Sequence, residues 1–363
     1  MYGPCFAAGT VSPVFDPSWP YGDRTRGDRD IDVLCLGHAL VDRLAHATTE
    51  DVRAADVEPG GMTLVDADRA GEIGRAFRGW RQVAGGCAAN TAAGVASLGG
   101  VPAFAGAVGD DEPGAWYSSD LERAGVACTV ATVTSGGPTG LCHVLVSDGG
   151  ERSMATSLGA AGEIAIDTVE RAGVDRAKIV YFEGYLLDPP LATAAVVRTL
   201  ELARESSTLV SLSLSDPLLV DRHRNRLREL VFGGEIDVLF GNEEEALSLT
   251  GADSRAQAVA KLRRAGTVAV VTLGAEGAIA ITPDGEVRVP ADYVERVEDT
   301  TGAGDSFAAG CLYGLTHGYG VEAALRFGAF AAGEVIGHLG ARPANSLRIA
   351  AAERALTGSD SGA

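Results

Sequence analysis

The run Asp299-Thr-Thr-Gly-Ala-Gly-Asp-Ser-Phe307 carries the clearest chemistry in this chain. Gly302, Ala303 and Gly304 open an expected helix that continues through Ala308–Leu315. The free N–H groups and positive dipole end of a helix start suit an anion, and glycine lets a phosphate approach the backbone. Asp305 falls in the first turn, facing that anion position. A carboxylate there repels phosphate, so it does not serve to bind it. It can take a proton from a hydroxyl that attacks the phosphate. An ordinary glycine-rich helix start with a dipole-favoured acid accounts for the same residues, so this run alone does not decide.

Four further signals share this double character. In Gly85-Gly86-Cys-Ala-Ala-Asn90, paired glycines before a helix and an Asn one turn in can offer N–H groups and an amide to sugar hydroxyls, or simply make a tight turn with a local cap. Asp42, after the strand-like stretch that starts at Ile31, can accept from two adjacent hydroxyls or be a solvated loop acid. Asn242-Glu-Glu-Glu245 follows an expected strand at Ile236–Phe240, where ligands gather at the carboxyl ends of open parallel sheets. Asn242 and Glu245 could hold a hydrated Mg²⁺ and a phosphate there, or favour a helix dipole. Thr272-Leu-Gly274-Ala-Glu-Gly277 is a strand end with a glycine turn, passing near nucleotide phosphates or closing a hairpin.

The elements that must position these residues alternate. Short apolar strands are expected at Ile31–Leu36, Val101–Val108, Ile179–Phe182, Leu209–Leu214, Ile236–Phe240, Val268–Thr272 and Ala278–Ile281. Helices are expected at Gly114–Gly125, Pro190–Glu205, Val220–Val231, Glu243–Leu249 and Ala256–Ala265. That rhythm predicts an α/β fold with a mostly parallel central sheet covered by helices on both faces. Segments 43–66 and 127–156 read instead as hairpins and are assigned to a small β-sheet lid. Residues 1–30 read as a flexible extension, with Trp19 and Tyr21 as anchors, 31–358 as the main domain and 359–363 as a tail.

Composition narrows the classes. The 363 residues carry a net charge of −19, which disfavours nucleic acid and anionic membranes as partners. No apolar run approaches the ~18 residues of a membrane span, and no secretion signal is expected at the N-terminus. Six scattered cysteines without a C-x-x-C suggest reduced thiols and a cytoplasmic protein. Only Lys178 and Lys261 occur, neither after a glycine, so a P-loop is excluded. The glycine fingerprint of dinucleotide dehydrogenases is also missing.

In this order and spacing the five signals resemble the PfkB/ribokinase family of sugar and nucleoside kinases, over about residues 31 to 348. Gly37-His-Ala-Leu-Val-Asp42, Gly61-Met-Thr-Leu64, Tyr181-Phe-Glu-Gly-Tyr185, Ser211-Leu-Ser-Leu-Ser-Asp216 and Asp221-Arg-His-Arg224 look most like its bacterial adenosine-kinase-like branch. The resemblance implies a ribokinase-like fold with a β lid, and transfer from ATP, with Mg²⁺, to the 5′-hydroxyl of adenosine. It implies Asp305 as base, Gly302, Ala303 and Gly304 as anion hole, and Asp42, Gly86 and Asn90 on the ribose. Tyr185 is expected to stack on the base. Asn242, Thr272, Gly274 and Gly277 fall on the nucleotide side and Glu245 on the metal. Asp299 and Thr301 match positions that bind a monovalent cation such as K⁺ in some relatives. Two residues depart from the family pattern: Cys87 stands where Asn or Ser is common, and Ala329 where several sugar kinases use Asn against adenine. A sugar kinase acting on ribose or a keto-deoxy sugar acid, and a non-catalytic nucleoside-binding regulator, are the competing readings. A monomer and a homodimer through the lid are both open.

Overall fold

The computed structural model describes residues 19–25, 29–134, 137–147 and 152–348. In chain order the strands are β1 (Ile31–Leu36), β2 (Leu40–His46), β3 (Met62–Leu64), β4 (Arg81–Gly85), β5 (Pro102–Gly109), β6 (Ala127–Val133) and β7 (Gly140–Val146). They continue as β8 (Arg152–Ser157), β9 (Ala177–Glu183), β10 (Leu209–Ser213), β11 (Val238–Asn242), β12 (Val268–Thr272), β13 (Ala278–Thr282) and β14 (Gly285–Val289). A nine-stranded sheet runs β14-β13-β12-β11-β10-β9-β1-β5-β6. Its strands pair in parallel from β12 to β6, and only β13 and β14 are antiparallel.

Sequence explains the layering. All six residues of β1 and all eight of β5 are buried, as strands covered on both faces require. Successive side chains alternate: Leu34 and Leu36 enter one core layer, Val33 and Cys35 the other. The family fold expected from the sequence, a mostly parallel sheet with helices and a second small sheet, is the one observed.

The small sheet runs β3-β8-β7-β2-β4. Its register puts Leu40, Asp42, Cys142, Met154, Thr156, Met62 and Leu64 on one face. The other face is covered by helices Thr49–Ala54 and Ala67–Ala76, through Val52, Ile73, Leu145 and Ala155.

Several expectations need correction. The segment 127–156 is divided: β6 is an edge strand of the large sheet, parallel to β5, and only β7 and β8 join the small one. Helix Glu112–Arg123 supplies the crossover that makes β5 and β6 parallel neighbours, and the half-exposed Val/Thr alternation of β6 suits a sheet edge as well as a hairpin. The small sheet also takes Arg81–Gly85, outside the expected ranges, and its strand β2 begins at Leu40, three residues before the expected lid segment. In residues 19–25 the two expected anchors, Trp19 and Tyr21, pack onto the main domain. Trp19 is buried, meets Tyr21 edge-on at 5.2 Å, and the Tyr21 hydroxyl donates to Gly266 O at 3.0 Å. Residues 1–18, the turn positions 135–136 and 148–150, and the tail 359–363 lie outside the described residues. Among the described residues no helix is long and apolar enough to cross a membrane.

Candidate active site

Two small-residue helices build the floor of the site. Cys87–Leu98 and Ala303–Thr316 approach so closely that a Cβ on Gly94 would meet Ala309 Cβ at 2.6 Å. One turn before that crossing stand Asn90 and Asp305, and Asn90 Nδ2 donates to Asp305 Oδ2 at 3.0 Å. Both helices start on a left-handed or otherwise unusual glycine. Gly86 has φ 94° and a Cβ there would meet His38 O at 2.2 Å; Gly302 has φ 75° and a Cβ would meet Ala341 O at 2.5 Å. No other residue fits either turn. Beside Gly304 nothing lies within 4 Å of a would-be Cβ, so the helix start is open to a ligand.

These helix starts, the carboxyl ends of the central strands and the inner face of the small sheet enclose a cleft of about 410 Å³. It brings together Asp42, Gly86, Asn90, Tyr185, Asn242, Glu245, Thr272, Thr301, Gly302, Gly304 and Asp305. Ala303, Gly274, Gly277 and Asp299 do not line it. Gly277 has a structural reason of its own: at φ 93° a Cβ would meet Val289 O at 2.1 Å, where the turn passes the β14 end.

Three carboxyls in the cleft are strongly perturbed. Burial pushes Asp305 up to about 7, against the Asn90 amide, which favours the ionised form. Burial likewise pushes Asp42 up to about 7, against the pull of Arg342 and Arg152. Burial pushes Glu245 up to about 7 as well. Glu245 closes a capping box: its oxygens accept from Asn242 N at 3.0 Å and Asn242 Nδ2 at 2.8 Å, and its own N–H donates to Asn242 Oδ1 at 2.8 Å. Buried carboxyls whose charge is costly are what a functional cleft holds ready for a ligand.

The donor set bears on a metal. Among the described residues no three His, Cys, Asp or Glu side chains form a cage. One buried carboxylate and one amide at the end of β11 fit Mg²⁺ arriving on a polyphosphate, with water completing the shell. Asp299 does not fit a monovalent cation in the same way. Its carboxylate pairs with Arg152 and accepts from Gly340 N at 2.8 Å and Thr301 N at 3.0 Å.

Sequence reasoning missed three participants. Glu183, 1% exposed at the end of β9, accepts from His38 N at 3.0 Å and Ala88 N at 2.9 Å, tying the chain after β1 to the start of helix Cys87–Leu98. A carboxylate directly after the apolar run Ile179–Phe182 was the available signal. Arg152 and Arg342 carried none, because their partners lie 147 and 252 residues away.

Comparison with known proteins agrees with this geometry. Residues 61–347 match the pfkB family of carbohydrate kinases. The fold is similar to a probable sugar kinase from Rhizobium etli CFN 42, at 37% identity over 90% of this chain and 98% of that one, TM-score 0.86. It is similar to adenosine kinase from Sinorhizobium meliloti, at 39% identity over 89% and 99%, TM-score 0.85. Among curated proteins, 5-dehydro-2-deoxygluconokinase of Shouchella clausii is 27% identical over 85% of this chain and 90% of its own. With its helix start, cleft carboxyls and family match over most of its length, the chain belongs to the pfkB family, kinases that transfer phosphate to hydroxyl groups of sugars and nucleosides.

Proposed function

We propose that this chain is a nucleoside kinase that phosphorylates the 5′-hydroxyl of adenosine at the expense of ATP. The observation that carries the acceptor is the lid face. Leu40, Met62, Leu64, Cys142 and Met154 make an apolar shelf on the cleft face of the small sheet, around Asp42 on the same face. Leu64 remains 52% exposed on that shelf. A free sugar has hydroxyls on every side and gains nothing from such a surface. A nucleoside has one polar half and one flat apolar half, and buries the second. The likeness to the Sinorhizobium adenosine kinase supports the same reading.

In this reading Asp42 accepts from the ribose 2′- and 3′-hydroxyls, beside Gly86 and Asn90. Asp305, ionised, takes the proton of the 5′-hydroxyl as that oxygen attacks the γ-phosphorus in line. The N–H groups at Gly302–Gly304 stabilise charge on the transferred group, as a helix start does for an anion. Asn242 and Glu245, with Thr272 beside Asn242 in the β11–β12 register, face the phosphates. Mg²⁺, when bound there, neutralises phosphate charge. Arg152 ties the lid, through Asp299, to the loop before the anion-site helix, and the closed lid excludes water from the transfer. No step is assigned to K⁺.

The test is MgATP turnover across adenosine, inosine, guanosine, ribose, fructose and a keto-deoxy sugar acid. Adenosine is expected to give the highest kcat/KM. Equal or better turnover of a free sugar moves the chain to the sugar kinases. No turnover of any acceptor, with adenosine still bound, makes it a binding regulator.

A further inference from the structure

Arg342 lies in the loop after helix Val321–Val335 and has no part in the reaction described so far. Its guanidinium joins two distant helices. Nε donates to Asn90 Oδ1 at 3.2 Å, and Nη1 donates to Asp120 Oδ2 at 3.0 Å, with the side chain 17% exposed. Asp120 belongs to helix Glu112–Arg123 and Asn90 to helix Cys87–Leu98.

The chemistry of these groups permits one orientation. A guanidinium has only donors, so the Asn90 atom facing it must be the amide oxygen. That leaves Nδ2 toward Asp305. An ionised carboxylate has only acceptors, so it welcomes that N–H. If the Asn90 amide turned over, its oxygen would face the carboxylate, repel the ionised form and bond the protonated one. The protonated form is no base. Of the other titratable neighbours of Asp305, only the Cys87 thiol, which stays protonated and bonds the carboxylate, also favours the ionised form. Glu183 and Tyr181 from β9, Cys35 from β1, Cys87 from the floor helix and Asp42 from the lid are all acids.

We propose that Arg342 is a positioning residue: it locks the Asn90 amide so that Nδ2 supports the ionised, base-competent carboxylate of Asp305. This rests on the reading of Asp305 as the base. Asp120 anchors the far end of the same fork, which a lysine could not span with one nitrogen.

The experiment compares kcat, acceptor KM and Tm for Arg342→Gln, Arg342→Lys, Asn90→Ala and the double variant Asn90→Ala/Arg342→Gln, beside Asp305→Asn. Arg342→Gln is expected to lower kcat about 10- to 100-fold, the scale of a misplaced reacting group. Acceptor KM should move less than about threefold, since ground-state binding is not what is lost. Arg342→Lys should recover part of kcat. The double variant should be no slower than Asn90→Ala, because the two residues act in series. Losses that multiply in the double variant, or a defect confined to KM or Tm, overturn the proposal. Asp305→Asn keeps the two readings apart. If it retains kcat, the base assignment fails. If it abolishes turnover while Arg342→Gln is silent, the base stands and only the positioning role fails.

Discussion

Arg152, on the lid strand β8, forms an ion pair with Asp299, which is 3% exposed before the helix Ala303–Thr316. The pair ties the small sheet to the loop that leads into that helix. Asp299 also accepts from the N–H groups of Thr301 and Gly340, so one carboxylate fixes the lid, the anion-site turn and the C-terminal loop together. We expect the guanidinium to make a cation at Asp299 unnecessary.

Removing Arg152 should therefore loosen the lid. An unpaired buried carboxylate costs about 3–5 kcal/mol, and opening the lid to water avoids that cost. In Arg152→Ala, amide exchange in β7 and β8 should rise and acceptor KM should increase. Wild-type turnover should be insensitive to K⁺, while the variant should respond to it. Strong K⁺ activation of the wild type, with unchanged exchange in the variant, would show that Arg152 does not stand in for a cation.

Asp305→Asn should keep the fold and most ligand affinity while kcat falls at least ~10²-fold, the usual size of a general-base contribution. The pH dependence follows from the same group. Its carboxyl is raised from 3.8 to about 7, so kcat should climb with pH through about 7 and then level off. Stability should run the other way. Asp42, Asp305 and Glu245 all titrate higher in the fold than in the unfolded chain. Between about pH 4 and 7 the folded state binds more protons, so stability falls as pH rises through that window. At pH 8 Asp305→Asn should then melt higher than wild type. A pH-independent kcat from 5 to 9 removes Asp305 from proton transfer.

Asp42 and Glu245 should separate acceptor from metal. A lost charge-assisted hydrogen bond costs on the order of 1.5–3 kcal/mol, or ~10- to 150-fold. Asp42→Ala should lose that much adenosine affinity and leave ATP binding nearly unchanged, and 2′-deoxyadenosine should be a poorer substrate than adenosine. Glu245→Gln should raise the Mg²⁺ requirement and leave adenosine affinity without ATP unaltered. Equal losses for both ligands at Asp42 mark a structural acid. An unchanged Mg²⁺ curve at Glu245 returns Asn242–Glu245 to a helix cap.

Much of this was legible because it is local. Apolar runs announced β1, β5 and β12, and Gly302 announced a helix start where the close approach of Ala341 O leaves room for no Cβ. Helix Val321–Val335 and strand β14 were not anticipated. The second is a short edge strand with charged residues on its open face. β6 was misplaced because alternation does not say which sheet a strand joins. In the site, residues inside glycine-rich motifs were found and their distant partners were not. Asn90 carries its own pattern, whereas Arg342 acquires meaning only when the fold brings it 3.2 Å from that amide.

Tyr185 is the case where packing and function compete for one ring. It follows β9 in the turn Gly184–Leu187, packs against the larger core layer and also lines the cleft. Base–aromatic stacking is worth ~1–3 kcal/mol. Truncating a fully buried aromatic costs about 3–5 kcal/mol. Tyr185 is only partly buried, so its stability cost should fall below that range while its binding loss stays whole. Tyr185→Ala is expected to raise adenosine KM roughly 5- to 150-fold with a modest fall in Tm. Tyr185→Phe should be nearly silent in both, because the ring rather than the hydroxyl meets the base. Ribose offers no flat face to stack on, so any residual turnover of ribose should be insensitive to Tyr185→Ala. A Tm far below wild type, with adenosine KM unchanged in the folded fraction, would make Tyr185 a core residue and leave the base to be read by the apolar shelf of the lid alone.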